Sequence, residues 1–135
     1  MYNTIIVPTD FSDEESTIKS LKKAEMLSDN GRIVLLHVLY DIPAYVLVEL
    51  PADVIQQQGP EIKNSLTEIL QKSGVKADIK IRKGQSYTNI IDEAKEISAD
   101  LIMIDSHRPG LQDYLLGSTA AKVVRHAPCS VLVDR

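Results

Sequence analysis

The sequence is poor in cysteine and in aromatic residues: it contains one cysteine, one phenylalanine and no tryptophan in 135 residues. A single cysteine, Cys129, cannot form an internal disulfide, so we expect a reducing compartment, the cytoplasm. With so few aromatic side chains and no basic patch among them, a stacking surface for single-stranded nucleic acid is not expected. The net charge of -4 also gives no overall attraction to nucleic acid or anionic lipid.

Long apolar runs and common catalytic motifs are missing as well. No run approaches the length of a membrane span, and the first residues lack the basic and apolar regions of a signal peptide. There is no G-x-S-x-G, C-x-x-C or Walker A sequence. The histidines are scattered, without the spacing of metal ligands. We therefore expect that the protein does not bind membranes and does not catalyse a reaction efficiently.

What the sequence does contain is a regular alternation of strand and helix patterns. Short apolar runs predict strands at 5–7, 33–39, 75–81, 101–104 and 131–133, and the third alternates as a strand at or near a sheet edge does. Helix signals lie between them: a capping box at Ser12 and Glu15, a stop at Asn30-Gly31, a start near Pro60, a stop at Gly74, a cap at Ser86, and a helix over 118–126. Residues 40–60, interrupted by prolines, predict no definite element.

This alternation predicts one α/β domain over residues 1–135, a parallel sheet with helices on both faces. Ligands of such sheets bind beyond the carboxyl ends of the strands, where the strand order reverses. Thr9 and Asp10 follow the first strand, and His107 and Arg108 follow the fourth, so these positions are candidates for ligand contacts. Ser12 is explained by its capping partner, and His37 and Cys129 are interpreted as packing residues.

Gly117-Ser118-Thr119 stands behind the fourth strand and directly before a predicted helix. A helix start offers backbone N–H groups without partners and a partial positive charge, and a glycine with two hydroxyls would suit a phosphate there. The simpler alternative is that Ser118 only caps the helix. The tripeptide and its position leave both interpretations open.

Several stretches resemble the universal stress protein family: VPTDFS, VLLHV, ADLIMIDSHRP and, most specifically, YLLGSTAAKVVRHAPCSVLV. The similarity spans nearly the whole chain and is weakest over 41–60. It implies a Rossmann-like fold with five parallel strands in the order 3-2-1-4-5. It also implies a homodimer that pairs through the last strand, at Val131, Leu132 and Val133, where a monomer would expose an apolar edge.

The resemblance further implies a stress-response or signalling module that binds adenine nucleotide, ATP with Mg²⁺ or else AMP or ADP, without efficient turnover. The adenosine would lie near Pro8, Thr9 and Asp10, with Val38 against the adenine. The phosphates would lie between the loop after strand four and the next helix, at Ser106, His107, Arg108, Gly117, Ser118 and Thr119.

The chain departs from the family pattern Gly-x2-Gly-x9-Gly-(Ser/Thr). Asp105 and Arg108 occupy the first two glycine positions, and the loop is one residue shorter. A carboxylate 4 Å from a phosphate would repel it by about 1 to 4 kcal/mol. The rival hypothesis is therefore a nucleotide-free, dimeric interaction protein of the same fold, with the phosphate site closed by Asp105.

Overall fold

A computed structural model describes residues 1–39, 45, 48–49, 52–105 and 117–134, with the backbone alone for 52–58. The strands are β1 (Tyr2–Pro8), β2 (Ser28–Leu39), β3 (Asp78–Lys83), β4 (Leu101–Asp105) and β5 (Ser130–Asp134). The helices with defined bounds are α1 (Glu14–Leu27), α2 (Ala52–Ser73), α3 (Ser86–Glu96) and α4 (Ser118–His126). Of the residues 40–60 that predicted no definite element, the larger part lies outside the described residues or is described as backbone only.

The five strands form one sheet in the order β3-β2-β1-β4-β5, and all pairings are parallel. This confirms the predicted sheet and places β3 at an edge, as its alternating pattern indicated. The chain runs outward from β1 in one direction and from β4 in the other. The strand order therefore reverses between β1 and β4, which is where a sheet of this kind binds its ligand.

Successive side chains of each strand point to opposite faces of the sheet, and each face has its own core. Ile5 and Val7 pack with residues of α1 and α2, on what we call the α1/α2 face. Ile6 packs with residues of α3 and α4, on the α3/α4 face. Both cores consist mainly of fully buried aliphatic side chains, so both faces are covered by helices.

The capping box predicted at Ser12 and Glu15 is wrong, because α1 begins one residue later than that pattern requires. Asp13 is the N-cap, and its carboxylate accepts a hydrogen bond from the backbone amide of Ser16. The Ser12 hydroxyl instead donates to Asp10. Aspartate and serine cap helices about equally well, so the two neighbouring starts could not be ranked from the local sequence.

The helix stop predicted at Asn30-Gly31 is also wrong. α1 ends at Leu27, and β2 begins at once with Ser28. The stretch of β2 before Arg32 is longer than its partner in β1, since Tyr2 pairs with Ser28 while Thr4 pairs with Arg32. Asn30 takes a left-handed φ of 54° inside this irregularity, so the Asn-Gly pair marks a bulge.

The other helix boundaries were predicted in part. Gly74 does end α2, with φ of 71° and its amide donating to the Leu70 carbonyl. Pro60, expected near the first helical position, lies inside α2, which starts at Ala52. The N-cap of α3 is Gln85, so Ser86 is the first helical residue and not the cap.

Asp100 fixes the start of β4 to the start of β1. Its two carboxylate oxygens accept hydrogen bonds from the backbone amides of Asn3 (2.8 Å) and Thr4 (2.9 Å), and its own amide donates to the Thr4 carbonyl. Burial alone would raise the pKa of the Asp100 carboxyl, but these amides outweigh it and lower the pKa below the ordinary value of 3.8. The charged form is therefore the one that stabilises the fold.

Replacing Gly31 by alanine should destabilise the protein, because a Cβ there would lie 2.6 Å from the Asn3 carbonyl carbon and 2.8 Å from its Cα. The backbone would have to move, at a cost of about 1–3 kcal/mol in the free energy of unfolding. Gly59→Ala is the matched control, since its Cβ would meet nothing within 4 Å and alanine favours a helix. Urea denaturation in which both variants match the wild type would contradict this close approach.

Asp100→Asn should lower the free energy of unfolding by about 1 kcal/mol at neutral pH, because an amide replaces one acceptor oxygen by a donor. Since the pKa of Asp100 is lowered in the folded protein, its stabilising effect is complete above 3.8 and is lost as the pH falls through the folded value. The difference between the variant and the wild type should therefore shrink as the pH falls below 3.8. A difference that persists unchanged in acid would show that the charge is not responsible.

Candidate functional site

The candidate site lies at the carboxyl edge of the sheet, on the α3/α4 face. Val38 packs against the core of that face. Pro8 follows Val7 and so points to the same face as Ile6. β4 is adjacent to β1 in the sheet, and α4 follows β4 in the chain. α4 covers the same face as Val38 and Pro8. Pro8, Val38 and the start of α4 therefore lie at the same edge of the sheet and on the same face, which we call the corner.

Gly117 is the N-cap of α4, where Ser118 had been the simpler expectation. The Gly117 carbonyl accepts the first helical hydrogen bond, from Ala121, and a glycine has no side chain with which to cap the amides of the first turn. No acidic residue stands in that turn. Ser118 is exposed, Thr119 is half-buried and Gly117 is buried. The first turn of α4 therefore presents amide donors and two hydroxyl-bearing residues.

The start of α1 lies at the same edge of the sheet, but unlike the start of α4 it carries negative charges. Its N-cap is the carboxylate of Asp13, and Glu14 and Glu15 follow in the first turn. These charges already complement the positive end of that helix dipole. Of these two helix starts beside the point where the strand order reverses, α4 is the one suited to an additional anion.

Thr9 is directed into the protein by the alternation of β1. Its hydroxyl lies 2.9 Å from that of Thr17 on α1 and accepts a hydrogen bond from the Phe11 amide. Its backbone amide donates to the Leu36 carbonyl, and only 8% of its surface is exposed. The side chain thus positions the loop after β1, and a contact between Thr9 and a ligand stays a prediction.

Asp10 is exposed and is held in a turn by Ser12. One carboxylate oxygen accepts from the Ser12 amide (2.9 Å) and from the Ser12 hydroxyl (2.6 Å). Partial burial would raise the pKa of the Asp10 carboxyl, but the hydrogen bonds from Ser12 outweigh it, and His37 acts in the same direction, so the pKa lies below 3.8. Asp10 is therefore a charged, oriented acceptor at the end of β1.

Phe11 and His37 shape this loop, and sequence reasoning missed both roles. Phe11 adopts a left-handed φ of 65°, a conformation that a bulky side chain reaches only when its surroundings hold it there. Its ring lies against the His37 ring, with the centroids 4.5 Å apart. Nδ1 of His37 lies 2.7 Å from the Thr9 carbonyl oxygen and must carry the proton, since a carbonyl only accepts. No local pattern pairs residues on β2 with this loop.

Asp105, the departure from the family pattern, points away from the corner described above. It follows Met103 at an interval of two, so its side chain lies on the α1/α2 face. There its carboxylate accepts a hydrogen bond from the hydroxyl of Ser16 on α1. The carboxylate and the start of α4 therefore lie on opposite faces of the sheet.

Three predicted site residues, Ser106, His107 and Arg108, lie outside the described residues. Within the described part of the chain, no group of three or more acidic, histidine or cysteine side chains could hold a metal ion. None of the helices searched there is long and apolar enough to cross a membrane.

The comparisons with known proteins agree over the whole chain. The sequence model of the Universal stress protein family matches residues 1–135. Universal stress protein G of Escherichia coli O157:H7 is 34% identical over 142 aligned positions, which cover 100% of both chains. The similarity is therefore not confined to one motif.

Solved structures share the fold. Hypothetical protein MJ0577 superposes with a TM-score of 0.77 at 28% identity, over 98% of this chain and 95% of the other. The universal stress protein from Archaeoglobus fulgidus, solved in complex with dAMP, gives a TM-score of 0.69 at 19% identity, over 99% and 98% of the two chains. Both solved structures therefore share the fold with this chain over nearly its full length.

Proposed function

Since the chain belongs to the universal stress protein family, we propose that it binds an adenine nucleotide at the carboxyl edge of its sheet. The observation that carries this proposal is that α4 starts without a capping side chain or an acidic residue, on the same face as Pro8 and Val38. An apolar surface beside a helix start suits a ligand with one flat apolar end and one anionic end. The structural relative that holds dAMP supports the adenine class.

The adenosine half would rest on the ends of β1 and β2. Val38 supplies apolar surface for the base, and Pro8 pairs with Leu36, two residues before Val38 on the same face. Asp10, kept ionised by Ser12, is an acceptor that a ribose hydroxyl could use. The loop that carries Asp10 is fixed by Thr9, Phe11 and His37, so little ordering would be needed on binding.

The phosphate half would rest on the first turn of α4, with Gly117, Ser118 and Thr119 as donors and with Ser106, His107 and Arg108 as further candidates. We propose ATP as the ligand, with AMP or ADP as alternatives. Because no cluster of metal ligands occurs in the described part of the chain, Mg²⁺ would be bound chiefly through the phosphates and water.

We propose a signalling or stress-response role in the cytoplasm, without efficient turnover, because the sequence lacks the common nucleophile and Walker A motifs. The rival is the nucleotide-free interaction protein whose phosphate site Asp105 closes. The position of the Asp105 side chain, on the face opposite α4, favours nucleotide binding over that rival.

We also propose that two chains pair through β5, which forms an edge of the described sheet. Its side chains Val131, Leu132 and Val133 are only half-buried. Val131 and Leu132 pack against the cores of the two faces, whereas Val133 joins neither core among the described residues. An apolar edge strand is a template for pairing, and a second copy would satisfy it.

Nucleotide binding is tested with ATP and Mg²⁺ in a thermal unfolding assay. At a hundredfold excess over Kd, bound ligand would stabilise the fold by about 2.7 kcal/mol and raise the Tm. Gly117→Val should abolish the shift, because the added side chain would stand where the phosphates approach the backbone. Gly117 has φ of -63° and ψ of 161°, which valine adopts readily, so the backbone itself would not be strained.

Ala121→Val, the introduction of a valine on the exposed side of α4, is the matched control and should retain the shift. A shift that survives Gly117→Val would place the phosphates elsewhere. The absence of any shift with ATP, ADP or AMP, together with no nucleotide released on denaturing the purified protein, would favour the nucleotide-free rival.

Pairing through β5 is tested by Val133→Lys, which should convert a dimer to a monomer in sedimentation experiments, because a buried ammonium in the paired edge would lack a partner. Met26→Lys introduces the same charge on α1, where Met26 is 81% exposed, and should leave the mass unchanged. A wild-type monomer, or a dimer that tolerates Val133→Lys, would contradict this interface.

A further inference from the structure

The peptide group between Thr9 and Asp10 is held by a side chain of the neighbouring strand. Nδ1 of His37, on β2, lies 2.7 Å from the Thr9 carbonyl oxygen, and this oxygen belongs to the peptide group that leads into Asp10. We propose that His37 is a positioning residue that directs Asp10 toward the ribose and so makes binding depend on the ribose hydroxyls. The inference rests on the proposed nucleotide site and deepens it, because it names a residue behind one part of the specificity.

The other contacts of Thr9 fix different atoms. Its amide donates to the Leu36 carbonyl (2.9 Å), and its hydroxyl lies 2.9 Å from that of Thr17 and accepts from the Phe11 amide. These contacts hold the amide and the side chain of Thr9, which come before the peptide group in question or branch away from it. The hydrogen bond from His37 holds the carbonyl, and therefore the plane of the peptide group that joins Thr9 to Asp10.

The contacts of the Asp10 carboxylate are local to the loop. One carboxylate oxygen accepts from the amide of Ser12 at 2.9 Å and from its hydroxyl at 2.6 Å. Since Ser12 is only two positions further along the chain, these bonds fix the carboxylate relative to the loop and would move with it. The direction of the carboxylate relative to the sheet thus depends on how the loop leaves β1, which is the point that His37 holds.

The backbone of Phe11 makes the loop sensitive to His37. Its φ of 65° is one that a bulky side chain adopts only when its surroundings hold it there. The ring of Phe11 lies 4.5 Å from the His37 ring between centroids and packs against the core of the α1/α2 face. If the restraints on this loop were weakened, the backbone would relax from the left-handed conformation, and Asp10, the residue before Phe11, would turn with it.

Loss of the Nδ1 donor would therefore affect one kind of ligand contact and spare the others. A ribose hydroxyl that donates to a carboxylate forms a charge-assisted hydrogen bond, which corresponds to about tenfold or more in Kd. Displacement of the Asp10 carboxylate would cost ATP this factor and would cost nothing to a nucleotide without ribose hydroxyls. Contacts of the base with Val38 and of the phosphates with the start of α4 would remain.

The test compares by calorimetry the Kd of ATP with that of dideoxy-ATP, which lacks both ribose hydroxyls, each with Mg²⁺. The wild type should bind ATP about tenfold or more tightly, and Asp10→Ala should reduce this ratio to about one. His37→Phe retains a ring beside Phe11 but removes the donor, so it should lower the ratio below about threefold. His37→Asn carries an amide nitrogen at the place of Nδ1 and should keep the ratio within about twofold of the wild type.

His126→Phe is the matched control, because it makes the same change at the exposed last turn of α4, where the ring lies beside Tyr87. Both Kd values of this variant should match the wild type. His37→Leu also removes the donor and should lower the ratio in the same way, so it replaces His37→Phe if thermal unfolding without ligand shows that His37→Phe folds poorly. In the Asp10→Ala background, His37→Phe should change the ratio no further, since it acts through Asp10.

The outcomes separate the two proposals. A wild type that binds neither nucleotide refutes the proposed function, and the role of His37 falls with it. A wild type that binds both nucleotides equally refutes the ribose contact and the role of His37, but it leaves nucleotide binding intact.

Three results would overturn the role of His37 alone. The first is a ratio that survives removal of the donor in a folded variant. The second is a parallel loss of affinity for both nucleotides, which would indicate a purely structural effect. The third is a His37→Asn variant that loses the ratio as fully as His37→Phe, because the donor would then not be the group that matters.

Discussion

The structure depends on one geometric constraint, the alternation of side chains along strands that are buried on both faces. Because α1 and α2 cover one face and α3 and α4 the other, each residue at the carboxyl edge is assigned to a face by its position in its strand. Val38 is directed to the α3/α4 face, whereas Thr9, His37 and Asp105 are directed to the α1/α2 face. Val38 therefore faces the proposed ligand. Thr9 and His37 hold the loop after β1, and Asp105 contacts α1.

Electrostatics reinforces this division. α1 begins with its own carboxylates at Asp13 and Glu14, so the positive end of its dipole is already complemented. α4 begins at Gly117 without such charges and carries Arg125 and His126 in its last turn, where cations suit the dipole. An anion is thus favoured at one of these helix starts and disfavoured at the other. Both starts lie beside the place where the strand order reverses, so charge rather than topology distinguishes them.

Much of the fold followed from the sequence, because apolar runs and their spacing determine which segments are buried. The strand order 3-2-1-4-5 was implied by the family resemblance and not by the alternation alone. The sheet has this order, and the family model matches residues 1–135. The misplaced boundaries at Ser12 and Asn30 are positions where one residue type can serve two purposes. A serine can cap a helix or donate to a preceding aspartate, and an Asn-Gly pair can end a helix or form a bulge. At Gly31 the close approach to Asn3 of β1 is a tertiary contact, which the local sequence does not contain.

The candidate site, too, could not be predicted fully from the local sequence. An aspartate at a position where the family carries glycine suggests a closed phosphate site, if only the motif is considered. The alternation of β4 instead places the Asp105 side chain on the face opposite α4, where its carboxylate accepts a hydrogen bond from Ser16. A strand position can accept a carboxylate beside an anion site when the side chain leaves on the opposite face and finds a donor there. The effect of a departure from a sequence motif therefore depends on two things: the face to which the side chain points, and the partner that it finds on another element.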